Sequence, residues 1–289
     1  MPLLSACLMG CIGDDYSACV RNCALYFDYP DFPEHIGRVN VGIYDADGLL
    51  VTSHQVDAHA LSVFQGIQLD LTGGSYVAVC WANAFDNTSL HGLTPGASFD
   101  DGRVHHPNLS VSAPIASHDS LYYGKLSFVI PEDAPKGVQE DTVAFVPAHI
   151  TLKIHVKGLS NTAPGTPAED YPLVRTNHLL ASYDFDMQPL GDATSYHPLL
   201  QVDPTEKLVA AHTHVLRFDN ETPATIDVVE NAASQKILYS LGLRDFMQAN
   251  GITVVHGEKL TLPIFITFHD GHVEVSLEGW GGTPVEPEI

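Results

Sequence analysis

A chain of 289 residues is longer than one ordinary sandwich needs, and two domains of about 110 to 150 residues are the natural expectation. Thirteen Lys and Arg against 35 Asp and Glu leave a formal charge of -22. That charge repels nucleic acid and anionic head groups at long range and argues against a polyanion-binding role. With 45% hydrophobic and 17% charged residues the chain is a folded globular one, and no window approaches the roughly 20 continuous apolar residues of a membrane span.

The chain opens MPLLSACLMGCIGDDYSACVRNC. Leu3 to Gly10 is apolar and small and ends at Cys11; a second candidate, Cys7, follows Leu4-Ser5-Ala6. Leu, two small or neutral residues and then Cys resembles the lipobox of bacterial lipoproteins, in which the Cys becomes the acylated first residue. Cys7 has the better local pattern, but only six residues precede it, where a signal peptide needs a basic region and about 7 to 15 apolar residues. Neither site has Lys or Arg upstream, so the expectation is a signal peptide that starts before Met1. The plain alternative is an apolar N-terminal strand. Cys19 and Cys23 are close enough in sequence to bridge only if the chain turns between them, because extended residues at that spacing lie beyond the roughly 7 Å that a disulfide spans.

From Ala24 the chain reads as short strands and turns. Leu25-Tyr26-Phe27 opens the first domain, and Val39 to Tyr44 alternates before Asp45-Ala46-Asp47-Gly48 turns it into Leu49-Leu50-Val51. That Asp-x-Asp-Gly lacks the longer acidic repeat and distal Glu of a calcium loop and is a hairpin turn. Ile67, Leu69 and Leu71 alternate with Gln68 and Asp70, and Thr72-Gly73-Gly74-Ser75 allows a hairpin into Tyr76 to Trp81. This returning run is apolar throughout, so both its faces should be covered, with Trp81 buried and Cys80 acting as a small hydrophobe. Asn83 to Ser117 has no clear period and reads as a surface excursion, and Leu121 to Ile130 returns as the closing strand.

A stretch of Pro, Glu, Asp, Lys and Gly at Pro131 to Asp141 marks the boundary, giving a lead over residues 1–23 and domains over 24–135 and 136–289. Ile150 to Val156 alternates strictly and is the clearest half-buried strand. Asn161 to Pro172 is a Pro-rich loop, and strands follow around Leu179 to Phe185, His212 to Phe218 and Thr225 to Val229. One helix is expected over Lys236 to Asn250, with Ser234 as N-cap, Leu238, Leu241 and Phe246 on the buried face, and Asn250-Gly251 as its stop. Leu260 to Phe268 and His272 to Leu277 flank a turn at His269-Asp270-Gly271. The fold class is therefore all-β sandwiches with one helix in the second domain.

Chemistry finds little support. His212-Thr213-His214 puts two imidazoles on one strand face, a spacing that metal sites use, but no third ligand follows from the sequence. His105-His106 and His269 to His272 lie in predicted turns, where solvated His is ordinary. No Cys-x-x-Cys, His-Glu-x-x-His, Gly-x-Ser-x-Gly or phosphate-cradling loop occurs, so no metal, cofactor or enzymatic activity is expected.

The succession Cys11-Ile12-Gly13-Asp14-Asp15-Tyr16-Ser17-Ala18-Cys19, Leu25-Tyr26-Phe27, Val41 to Gly48, Gly74-Ser75-Tyr76 and Trp81-Ala82-Asn83 resembles the FimB family of Bacteroidales fimbrium-anchoring subunits. Tyr123-Gly124, Ile150 to Gly158 and Gly279-Trp280 continue the match over nearly the whole chain. The resemblance implies two transthyretin-like β-sandwich domains, lipidation on Cys11 in preference to Cys7, and Asp14-Asp15 as a surface-export signal. It implies an outer-membrane lipoprotein that faces outward, partners other fimbrial subunits by strand exchange and serves as their base. Polymerising subunits of such fimbriae are cleaved after an Arg, and only Arg21 and Arg38 lie near the first strands here. The competing reading is a surface lipoprotein that binds glycan or host protein through the excursion, whose aromatics are Phe85 and Phe99.

Overall fold

The computed structural model describes residues 21–111, 113–131 and 139–277. Cys7, Cys11, Asp14, Asp15, Cys19 and the Gly279-Trp280 end of the family resemblance lie outside them, as does most of the expected linker. In chain order the N-terminal half gives β1 (Arg21–Asp28), α1 (Phe32–His35), β2 (Arg38–Tyr44), β3 (Leu50–Asp57), α2 (Ala58–Val63), β4 (Gly66–Leu71), β5 (Gly74–Ala82), β6 (Ser89–His91), β7 (Arg103–His105), β8 (Tyr122–Ile130) and β9 (Gln139–Pro147). The chain is mostly strand, as expected.

Seven of these strands pair in the order β3-β2-β5-β8-β9-β1-β4. Strands β8 and β9 touch only where Tyr122 to Gly124 meets Phe145 to Pro147, so the sheet folds over at that corner into two layers. Gly124 sits at the fold, where a Cβ would fall 2.6 Å from Val143 Cγ1. Leu25, Phe27, Leu69 and Val143 of one layer pack on Val41, Ile43, Ala78 and Phe128 of the other. The Asp45–Gly48 hairpin forms as expected: Asp45 Oδ1 accepts the backbone N–H groups of Asp47 (3.0 Å) and Leu49 (2.9 Å).

The expected hairpin of β4 and β5 does not form. Strand β4 pairs with β1, whereas β5 lies between β2 and β8 in the other layer. Thr72-Gly73 therefore carries the chain across the core instead of back along the same sheet. Both faces of β5 are nevertheless covered: Tyr76, Ala78 and Cys80 enter the sandwich core, while Val79 and Trp81 enter a second cluster on its back.

The C-terminal half gives β10 (His149–Lys157), β11 (Leu173–Leu179), β12 (Ser182–Asp184), β13 (Pro189–Leu190), β14 (Thr194–Tyr196), β15 (Leu200–Asp203), β16 (Leu208–Leu216), β17 (Thr225–Val229), β18 (Ile237–Gly242), α3 (Leu243–Ala249), β19 (Thr261–His269) and β20 (His272–Leu277). A five-stranded sheet, β15-β16-β10-β19-β20, faces a four-stranded one, β14-β11-β17-β18. Strand β10 is the spine, its Ile150, Leu152, Ile154 and Val156 all buried in the core between the sheets. In each half the first strand runs parallel to a late one, β1 beside β9 and β10 beside β19. Helix α3 starts later than the periodicity predicts, because Ile237 to Gly242 pairs with β17 as an edge strand. Leu243, Phe246 and Met247 form its buried face, and the helix stops at Asn250-Gly251 as read. Two further short helices, α1 and α2, were not expected.

The boundary also differs from the expected one. Strand β9 stays in the N-terminal sheet, and the chain passes from one lobe to the other at Ala148. Ala148 is fully buried; its N–H donates to Leu121 O (2.9 Å) and its carbonyl accepts from Arg217 N (3.1 Å).

Candidate functional site

The stretch between Asn83 and Ser117 is no free surface excursion. It supplies β6 and β7, and β7 pairs with β12 of the other lobe, giving an antiparallel sheet β13-β12-β7-β6 drawn from both lobes. Beneath this sheet Trp81, Tyr44, Val104, Tyr183, Phe185 and Leu216 form a core to which both lobes contribute. Trp81 is 1% exposed, as its place at the end of a fully covered strand requires; its ring lies 6.0 Å from Tyr183 and 4.9 Å from Tyr123.

Tyrosine hydroxyls close bonds around the seam, the first of them from lobe to lobe and the other two each within one lobe. Tyr123 OH donates to Phe185 O (2.9 Å), Tyr183 OH to Arg217 O (2.7 Å) and Tyr44 OH to Gly92 O (2.8 Å). Lys125 pairs with Asp186 across the seam and lies 4.6 Å over the ring of Phe99. Asn83, buried with φ 58, pins two segments: its Nδ2 donates to His35 O (2.6 Å) and Ser120 O (3.1 Å), and its Oδ1 accepts from Gly37 N (2.9 Å). In the sequence Asn83 marked only the start of the excursion and one position of the family resemblance.

Of the other residues singled out in the sequence, Cys80 is a fully buried free thiol, and burial pushes its pKa far up. Cys23 is likewise buried in β1, its thiol pushed up to about 11 by burial and then by Asp141, while its expected partner Cys19 is outside the described residues. His212 and His214 do share a face, with ring centroids 5.4 Å apart. Among the described residues no group of three or more His, Cys, Asp or Glu is placed to hold a metal ion. His106 is not the solvated turn residue expected but is buried against His118. His269 and His272 stack at 4.7 Å across the predicted hairpin turn. Phe85 is 41% exposed and carries the Arg38 guanidinium 4.6 Å above its ring.

Strand β1 lies inside its sheet, between β4 and β9, with Leu25 and Phe27 buried. Among the described residues β4 is an edge beyond it, and β20 is an edge of the five-stranded sheet. Such edges offer unpaired main-chain donors and acceptors to another strand. No helix among the described residues is long and apolar enough to cross a membrane.

Two sandwiches fused through a shared sheet, with the Tyr123 hydroxyl and the Lys125–Asp186 pair crossing from lobe to lobe, define a two-lobed β-sandwich protein. The comparisons agree in class and narrow it. Residues 16–283 match the family model of the fimbrillin-A associated anchor proteins Mfa1 and Mfa2, and the chain belongs to that family. This is a fimbrial family and not a family of enzymes, in keeping with the fimbrium-anchor resemblance seen in the sequence. Among solved structures, the fimbrial anchor protein Mfa2 from Porphyromonas gingivalis shares 16% identity and a TM-score of 0.67, covering 93% of this chain and 100% of its own. A candidate adhesin from Bacteroides ovatus has 14% identity and a TM-score of 0.74 over 93% and 96% of the two chains. A candidate polysaccharide-binding protein from Bacteroides thetaiotaomicron has 16% identity and a TM-score of 0.71 over 93% and 98%. No curated protein sequence matches the chain.

Proposed function

We propose that this chain is the base, or anchor, subunit of a fimbria: lipidated on Cys11, held in the outer membrane facing outward, and joined to other subunits by addition of a β-strand at an open sheet edge. The observation that carries this reading is the position of β1. It is an interior strand paired on both sides, and cleavage after Arg38 would strip β1 and α1 from the first sheet. A subunit that must keep its N-terminal tether needs that strand in place, whereas a polymerising subunit gives it up.

Cys11 precedes Arg21 by ten residues, which even fully extended reach at most about 36 Å, so the first sandwich would stand close to the membrane. A thioether-linked diacylglycerol plus an amide-linked acyl chain exceeds the two signals needed for stable anchoring, each buried CH2 contributing about 0.8 kcal/mol. The fused seam suits such a role, because load entering one lobe reaches the other through a continuous core and not through a hinge.

The edges β4 and β20 are the proposed contact strands; β4 lies beside the tethered β1, and β20 at the far side of the second lobe's sheet. The competing adhesin reading gains less support, since the excursion expected to make ligand contacts is built into the seam. Deleting the gene tests the role: fimbriae should be shed into the medium or altered in length. Cells whose fimbriae stay attached and unchanged would overturn it.

A further inference from the structure

A cleft of about 310 Å³ opens where the two lobes meet, beside the crossover at Ala148. Its C-terminal wall carries Lys153 and His149 of β10, His212 and His214 of β16, and Lys259 just before β19. Hydroxyl-bearing residues line the same space: Thr151 and Thr261 from this wall, Ser120 and Tyr122 from the opposite lobe. One carboxylate, Glu34, also lines the cleft, beside His35.

The grouping stands out in a chain where acidic residues outnumber Lys and Arg 35 to 13, because two lysines and two imidazoles share one cleft with a single carboxylate. Lys153 and Lys259 have no carboxylate within ion-pair distance among the described residues, Glu34 included. Two lysines without a carboxylate partner, the His212 and His214 imidazoles and several hydroxyls line one concave space.

We infer that this cleft binds an oxyanion, the carboxylate of an acidic sugar or a tetrahedral sulfate or phosphate group, between Lys153 and Lys259, with His212 and His214 as further donors. The overall charge of -22 weakens long-range attraction for such a ligand but does not remove a local cationic pocket in which Glu34 is the one lining carboxylate. A ligand held there touches both lobes and is independent of the lipid tether and of strand addition.

The imidazoles bear on how binding responds to pH. The Thr151 hydroxyl holds His214 Nδ1 at 3.1 Å, and His149 Nδ1 meets Leu121 O at 2.9 Å. Both rings have their pKa lowered to about 4, first by burial and then by neighbouring cations: His212 and Lys259 for His214, and His214, Lys259 and Arg217 for His149, with the Leu121 carbonyl opposing. His212 is lowered by burial and by Lys153. An anion in the cleft offsets only the electrostatic part of these shifts while burial, their larger cause, remains, so the rings bind it as neutral N–H donors near pH 7 and affinity rises only as pH falls below about 6.5; Glu34 opposes binding by contributing its own charge.

The full chain titrated with sodium sulfate, with glucuronate and with uncharged glucose, at constant ionic strength in chloride, tests the proposal by NMR of the imidazole C–H groups. Saturable shifts of the His212 and His214 signals with sulfate or glucuronate and none with glucose are expected. They should weaken about tenfold in the Lys153→Gln, Lys259→Gln double variant, whose exposed side chains can be changed without altering the unfolding midpoint. A response to glucuronate alone identifies a carboxylated sugar, and a response to sulfate alone a tetrahedral oxyanion. No saturable shift with either anion, or identical curves in the double variant, would overturn the proposal.

Discussion

Replacing Trp81 by Ala tests whether the two lobes are one mechanical unit. The indole is 1% exposed and packs on Tyr183 and Tyr123, so its removal should cost about 3 to 5 kcal/mol, the range for emptying a large aromatic site in a core. Its Nε1 is buried without a hydrogen-bond partner, so no bond is lost with it. Trp81→Phe should therefore be much milder, about 1 to 2 kcal/mol, since a ring remains and an unsatisfied donor disappears. Far-UV circular dichroism in denaturant is the suitable assay, because Trp280 would complicate fluorescence. The native chain should unfold in one cooperative transition, and Trp81→Ala should split it as the lobes come apart. Two well-separated transitions in the unaltered chain, or a loss below about 1 kcal/mol for Trp81→Ala, would refute the reasoning.

Gly102→Ala should destabilise the same seam by about 1 to 3 kcal/mol in the same assay, because the new methyl would fall on the ring of Phe185; a neutral result would mean that the ring moves freely. Cys80, buried and with its thiol pushed far up, should resist alkylation in the native protein and react only on unfolding, as peptide mass mapping would read. His118, His149 and His214 are held neutral by burial, at about 3, 4 and 4 against an ordinary 6.5. The unfolded chain thus binds more protons, and the stability these groups confer is present above pH 6.5 and lost as pH falls from there toward 4. The slope is up to about 1.4 kcal/mol per pH unit for each fully buried ring. Denaturation midpoints should fall between pH 7 and 5, and His118→Gln should flatten the dependence; a flat profile in the unaltered chain would contradict the burial.

The elements legible in the sequence are those whose signal is local. Asp45 to Gly48 and His269 to Gly271 are turns by their own chemistry, β10 alternates because one sheet face meets a core, and Trp81 ends a run with no polar position. What escaped depends on distant partners. Gly73 and Gly74 permit a reversal but do not specify the layer to which the chain returns, so β4 and β5 read as a hairpin when they lie on opposite walls. Strands of three residues such as β6, β7 and β12 are too short to display a period, which left the seam looking like surface loop. Ile237 to Gly242 continues the helical spacing of α3 on paper and is a strand only because β17 lies beside it. The cationic cleft gathers Lys153, His214 and Lys259 from three separate strands or their flanks, and only the His212-Thr213-His214 pair hinted at it.

The anchoring account turns on the first residue of the mature protein. Mass spectrometry of the N-terminal peptide, taken from outer membranes of cells expressing the gene from its native locus, measures it directly. The account predicts a peptide that begins at Cys11, carries diacylglyceryl and acyl groups, and runs unbroken through Arg38 into β2. A mature chain that begins at Val39 without lipid would make this a polymerising subunit and contradict the account.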